Sequence, residues 1–303
     1  MNTEIPAPDA HARGALDARP PRRPRADAWR RFVRNRVAAA AFGVVVVASL
    51  TAVLAPAVSP FDPALQNPPL SNLPPSAAHL LGTDQYGRDV LSRLIYGARI
   101  SLSVGLVSVT ILIVVGTALG ALAGYQGGAV DQTVMRFVDV MLSLPQYFLL
   151  LAVVAVFGPS LINTMAVIGL TGWMGTARLV RAHVLTLRHR EFGLAARAAG
   201  ATPTRIIVRH MLPNTIPLII VQAALSFSFA ILVEASLSYL GLGAQPPTAS
   251  WGNMLNDGKD FISSAWWLTF FPGLAVFLTV LSFNLIGDHL RELLDPRLRR
   301  TNV

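Results

Sequence analysis

The chain has 303 residues, 53% of them hydrophobic and only 14% charged, where a soluble domain carries roughly 25% charge. A mean hydropathy of +0.52 and long apolar runs point to an integral membrane protein. The absence of cysteine excludes disulfides, zinc–thiolate sites and a cysteine nucleophile, and a net charge of +9 suits basic loops on one side of a membrane as well as it suits nucleic acid.

Residues 1–36 are rich in Pro, Ala and Arg ("RPPRRPRADAWRRFVRNR") and too poor in apolar surface to fold, so they are predicted to form a disordered basic cytoplasmic tail. A first membrane helix is expected over 37–58. "APA" at Ala55–Ala57 resembles a signal-peptidase site, but the run exceeds the roughly 7–15 residues of a signal h-region. Five further spans are predicted at Ile100–Ala123, Met141–Phe157, Leu161–Val180, Thr215–Ser236 and Trp266–Ile286. Gly116, Gly120 and Gly124 have the small-xxx-small spacing of close helix packing.

Six spans with the tail inside put 21 of the 25 basic residues on the cytoplasmic side and only Arg88, Arg93, Arg99 and Lys259 outside. This predicts a multi-pass membrane protein with both termini cytoplasmic, the C-terminal tail being 291–303. Trp251, Trp266 and Trp267 are expected at the outer interface, where indoles prefer to lie. The outer connection 59–99 starts irregular and Pro-rich. Its second half is amphipathic, with Val90, Leu91, Leu94 and Ile95 on one face and Asp89, Ser92 and Arg93 on the other, as in a helix lying along the outer surface.

The 190–213 segment ("REFGLAARAAGATPTRIIVRHMLP") is basic and not greasy. Phe192, Ala195, Ala196 and Ala199 fall at i, i+3, i+4 and i+7, giving one flat helical face, with Arg190 and Arg197 off it. Gly200 is a helix stop, Thr202 a cap with Pro203 at the first helical position, and Ile206, Ile207 and His210 continue a second helix that Pro213 ends. From the residues alone, a plain surface loop and a docking element for a cytoplasmic partner both remain open. A helix-turn-helix DNA reader is disfavoured because the segment is wedged between two spans.

Among the acids, Glu234 is the one most nearly inside the membrane. At 1.5 Å per residue it lies roughly 30 Å along a helix from Asn214, which places it near the outer mouth. A hydrogen bond holding the outer loop and a part in an outer gate or substrate path, together with Tyr239, are the two readings. Asp139 is expected at the interface and solvated. No phosphate loop exists, since the Gly258–Lys259 pair is followed by Asp260, and no catalytic constellation occurs. A secondary carrier would place acids or histidines at the bilayer midplane, and these spans carry almost none.

"LAARAAG" followed by "IIVRHMLPN" resembles the coupling-loop signature of ABC importer permeases, with Ala195, Ala196, Gly200, Ile206, Leu212 and Pro213 at matching positions. The position that the pattern gives to glutamate holds Leu194, with Glu191 nearby. "LGTDQYGRDVLSRLIYGARISL" and "EASLSYLGLGAQPPTASWGNML" resemble the C-type subunit of the dipeptide/oligopeptide/nickel branch. The resemblance implies an all-α polytopic fold of the type I importer permease class, with a translocation domain at 100–290 that includes the coupling loop. It also implies a translocation subunit that is not itself an enzyme and holds no cofactor. ATP and Mg²⁺ would be bound by two cytoplasmic ATPase subunits. A homologous second permease and an external substrate-binding (lipo)protein would complete the assembly, in the lipid of a bacterial plasma (inner) membrane and without nucleic acid. Di- or oligopeptides, or else nickel complexes or other small solutes, would be the cargo. ATPase coupling would fall to Phe192, Leu194, Ala195, Ala196, Arg197, Ala199, Gly200, Ile206, His210 and Pro213.

Overall fold

A computed structural model describes residues 32–294. The predicted disordered tail lies outside those residues up to position 31. Residues 32–36 do not belong to it: Phe32 is buried in a helical turn, its ring 5.4 Å from that of His289.

The first long helix, α1 (Arg36–Val53), is capped by Asn35, whose side chain accepts from the N–H groups of Val37 and Ala38. A break at Leu54 separates it from the short α2 (Ala55–Val58), with Pro56 in its first turn, where a missing N–H costs nothing. Next come α3 (Val90–Gln126), α4 (Gly128–Ser143), α5 (Gln146–Phe157) and α6 (Leu161–Arg188). The short helices α7 (Glu191–Ala198) and α8 (Pro203–Ile206) precede α9 (Leu212–Tyr239), α10 (Trp251–Gly258) and α11 (Trp267–Leu294). No strand occurs among the described residues; the one isolated β-bridge joins Thr83 and Asp89.

The main helix pair is α3 with α6. A Cβ on Gly116 would lie 2.7 Å from Thr176 Cβ, and one on Gly124 2.7 Å from the Arg181 carbonyl, so the glycine spacing is what lets these backbones meet. Val104, Leu112, Trp173, Met174 and Leu237 fill the centre of the bundle, where α9 joins the pair. Around it, α11 packs on α9 and α1 on α11.

Among the described residues, four helices are long and apolar enough to cross a membrane: α1, α3, 203–239 and 267–293. The expected third span is not one straight helix. α4 and α5 meet at 87° across Leu144–Pro145, and counted as one broken span they bring the total to five. Pro145 has no N–H to donate and disfavours helix in the residue before it. The expected fourth span lies within α6, which has the length, but Asn163, Thr164, Thr171, Thr176 and Arg178 lower its apolarity. The last helix runs to Leu294, beyond the 290 boundary expected for the translocation domain.

The connection 59–89 is an ordered cap on one end of the bundle. Backbone N–H groups of Asn67, Asn72 and Thr83 donate to the carbonyls of Tyr86, Asp84 and Leu73. The expected surface helix is the first turns of α3, and its polar face is not solvated. Ser92 and Arg93 are buried; the Arg93 side chain is 3% exposed. Arg93 bonds Asp257 at 3.1 Å, while Arg88 bonds Asp84 at 2.6 Å and Asp257 at 3.2 Å. Burial pushes the Asp257 carboxyl above its usual range, against the pull of Arg93 and Arg88. Two of the three expected interfacial tryptophans are likewise buried. Trp251 donates to the Leu94 carbonyl at 3.1 Å and Trp267 to the Thr83 carbonyl at 3.2 Å, leaving Trp266 exposed. A buried indole N–H needs an acceptor, and the first turns of α3 supply one to Trp251 and the cap one to Trp267.

Candidate functional site

At the end of the bundle opposite the cap, α7 starts three residues after Arg188 and runs for 8 residues. Glu191 sits in its first turn, favourable to the helix dipole. Its C-terminus is a Schellman turn: the N–H of Ala201 reaches the Ala196 carbonyl at 3.1 Å and that of Gly200 the Arg197 carbonyl at 2.9 Å. Gly200 has φ +77°, the left-handed region that glycine enters without strain. Thr202 then caps α8, its hydroxyl accepting from Arg205 N–H, with Pro203 in the first turn. The helix, glycine turn and capped helix expected over 191–206 are all present.

The second helix does not end at Pro213. A π-helical turn (Ile207–Met211) follows α8 and leads into α9, so 203–239 is one continuous helical segment with Pro213 exposed in its course. A π turn shifts hydrogen bonding to i→i+5, which accommodates a residue with no N–H to give.

The expected flat face is split. Phe192, Leu194, Ala195 and Ala199 are exposed, whereas Ala196 turns inward against a cluster of Tyr125, Val184, Ile206 and Met211. Arg197 is half-buried, its guanidinium 5.1 Å from the Tyr125 ring centre. His210 is half-buried, and its carbonyl accepts from Asn214 at 2.7 Å. The outward face is therefore small residues flanked by two apolar side chains, Phe192 and Leu194.

Gly193 was not singled out by the sequence reading, yet it seats α7. A Cβ there would lie 3.0 Å from the Leu187 carbonyl and 3.2 Å from Met211 Cε. Glycine inside a short helix is a packing signal, because it costs roughly 1 kcal/mol relative to alanine. Tyr125 carried no such signal, since its role depends on a helix 60 or more residues away.

Glu234 and Tyr239 lie at the far end of 203–239, under the cap. Glu234 is 0% exposed and accepts from Ser101 Oγ at 2.9 Å and Ser238 Oγ at 2.7 Å. Ser101 Oγ in turn accepts from Trp251 N–H at 3.3 Å. Glu234 thus ties α3, α9 and α10 together and cannot touch a solute in this structure, which favours the loop-holding reading. Tyr239 is exposed, with Lys259 Nζ 5.8 Å from its ring centre. Asp139 is half-exposed, as expected, and paired with Arg178 at 2.5 Å.

Sequence comparison covers both halves of the chain. The family of binding-protein-dependent transport system inner membrane components matches residues 116–300, and the N-terminal TM domain of oligopeptide transport permease C matches residues 23–75. The dipeptide transport system permease protein DppC of Bacillus subtilis is 44% identical over 275 residues, 90% of this chain and 86% of that protein. DppC of Escherichia coli K12 is 46% identical over 291 residues, 94% and 97% of the two chains. The glutathione transport system permease protein GsiD of Pectobacterium atrosepticum is 42% identical over 279 residues, 92% and 93%. Among solved structures, an inward-facing MetNI methionine ABC transporter chain aligns over 67% of this chain and 97% of its own, with a TM-score of 0.52 at 22% identity.

Proposed function

Because the chain belongs to the family of binding-protein-dependent transport system inner membrane components, we propose that it imports short peptides as the C-type permease of an ATP-driven importer. Membership makes it a multi-pass transport component rather than an enzyme, working with ATPase and permease partners. The composition proposed for the complex is one homologous permease, two cytoplasmic ATPases that bind ATP and Mg²⁺, and an external substrate-binding protein. The observation that carries the peptide reading is identity of 44–46% with dipeptide permeases over about nine-tenths of the chain. Glutathione is itself a tripeptide, so the similarity to the glutathione permease extends the same chemical class.

In this reading α7 faces the cytoplasm, as the distribution of basic residues favours. Phe192, Leu194, Ala195 and Ala199 form the face that an ATPase cleft receives, an apolar one because Leu194 stands where the pattern has glutamate. Closure of the ATPases displaces α7. The Schellman turn and Gly193 keep the helix seated on Tyr125 and Met211, so the displacement passes into α6 and 203–239. The two ends of the pore then alternate in access.

The test is the complex reconstituted in lipid vesicles with its binding protein. ATP-dependent uptake of labelled dialanine, with ATP hydrolysis stimulated by the same peptide, is expected. Uptake that persists without ATP but follows an ion gradient would sink the importer reading. Transport of a nickel complex with dialanine ignored would leave the importer and remove the peptide.

A further inference from the structure

Two polar atoms beneath the cap are sealed from solvent and have no hydrogen-bond partner among the described residues: Arg93 Nη1 and Gln85 Oε1. They belong to different segments, Arg93 to the first turns of α3 and Gln85 to the connection before it. Both residues line one cavity of about 10 Å³, which Met254 and Asp257 of α10 and Leu268 of α11 line as well.

The other polar atoms of this cluster are already committed. Arg93 Nη2 donates to Asp257 Oδ2 at 3.1 Å, and its Nε lies 3.5 Å from Asp84 Oδ2. Asp84 accepts from Arg88 Nε at 2.6 Å and from the backbone N–H groups of Tyr86 and Arg88 at 2.9 and 3.0 Å. Arg88 Nη2 and Arg93 Nη2 both donate to Asp257 Oδ2, and neither bond uses Oδ1. An unmade hydrogen bond on a guanidinium that is 3% exposed is costly, and buried polar groups left unpaired by the chain are met by ordered water.

Size and chemistry together select the ligand. One water needs about 10–15 Å³ and makes about three hydrogen bonds to groups that are otherwise unpaired, so this cavity has room for one and for nothing larger. A cation would be repelled by Arg88 and Arg93, and an anion would face the carboxylates of Asp84 and Asp257. Water accepts the Arg93 Nη1 proton and donates to Gln85 Oε1 and to a carboxylate oxygen. It serves equally if the Gln85 amide is turned over, with that one bond reversed.

We propose that this cavity holds one resident water, which joins Gln85 of the connection to Arg93 of α3 and Asp257 of α10. The cap is then fastened to the bundle through a solvent molecule as well as through its ion pairs. The assignment is independent of the cargo and of the peptide reading.

The test is X-ray pulse radiolysis of the purified complex in lipid nanodiscs, read by mass spectrometry. A resident water yields a hydroxyl radical in place, and the oxidisable Met254, only 5% exposed, lies on the cavity wall. Met174 and Met211, buried in apolar clusters, are the controls. Sulfoxide at Met254 is expected to form about fivefold faster than at either control. It should persist when a bulk radical scavenger suppresses labelling of the exposed Trp266. Equal rates at the three methionines, or loss of Met254 labelling along with that of Trp266, would overturn the resident water. Gln85→Leu replaces the amide with an apolar group of similar size, and the Met254 rate should drop to that of the controls; an unchanged or higher rate counts against the proposal. A cryo-EM map of the unaltered complex that resolves ordered waters is the second measurement. A density peak within about 3.2 Å of both Arg93 Nη1 and the Gln85 amide is expected, and a direct Arg93–Gln85 bond or an empty cavity overturns the assignment.

Discussion

The two ends of the bundle are built on opposite plans. Under the cap, Arg88, Arg93, Asp84 and Asp257 interlock, Glu234 ties three helices, and Trp251 and Trp267 donate inward. At the other end, α7 is short and outwardly bare, seated through Ala196, Gly193 and the Arg197–Tyr125 contact and shaped by one glycine turn. A carboxyl bonded only to serines and sealed from solvent fixes one arrangement. A helix held by backbone geometry leaves its face free for another protein. The comparison teaches that the end with more charge in its interior is cross-linked by side-chain bonds between distant segments, and that the end proposed to receive the ATPase is thin in its own contacts.

Four substitutions press on that contrast, from the largest expected effect downwards. Glu234→Ala removes the buried acceptor of the Ser101 and Ser238 hydroxyl protons and opens a void, so it should cost about 3 kcal/mol. The thermal midpoint of the purified complex should drop clearly, with Glu234→Gln recovering most of it; an unchanged midpoint would mean the cap is held some other way. Gly200→Val forces a β-branched residue into the left-handed region at a position with open space around it, so backbone strain of about 1–2 kcal/mol is the whole cost. Protease sensitivity of the 190–213 loop should rise while the cap stays resistant.

Ala195→Trp lies on the outward face and should leave stability within about 0.5 kcal/mol. Peptide-stimulated ATP hydrolysis should nevertheless fall about tenfold, equivalent to about 1.4 kcal/mol of lost coupling. Normal stimulation in this variant would remove α7 as the ATPase contact. The smallest effect is expected from Arg197→Gln, which gives up a cation–π contact of about 0.5–1 kcal/mol; a matching small shift in the thermal midpoint is the measurement.

What the sequence made legible was local. The Gly200 turn, the Thr202 cap and the glycine row of α3 follow from residues within a few positions of one another, and all three are present. What escaped depended on distant partners. Arg93 sits on the polar face of its helix by periodicity, but Asp257, 164 residues later, draws it inside. Trp251 and Trp267 have the composition of an interfacial belt, yet the start of α3 and the folded cap offer their N–H groups the carbonyls of Leu94 and Thr83 instead. Ala196 shares a helical face with Ala195 and Ala199 on a wheel; only the position of Tyr125 and Met211 shows which of the three turns inward. Pro145 was visible, but a single proline does not reveal whether a helix kinks or parts at 87°. The family resemblance carried the function where periodicity alone left a plain loop and a docking element equally open.

The continuous 203–239 segment links the two ends. Its 37 residues span about 55 Å, so a tilt of about 5° around its middle carries each tip about 2 Å in opposite directions. The segment has two compliant joints, where the regular hydrogen-bond ladder lapses: the π turn at Ile207–Met211 and the interior Pro217. Both lie in its first half, nearer to α7 than to Glu234. Bending would therefore be absorbed close to where force enters, and the remainder would tilt as one rigid rod.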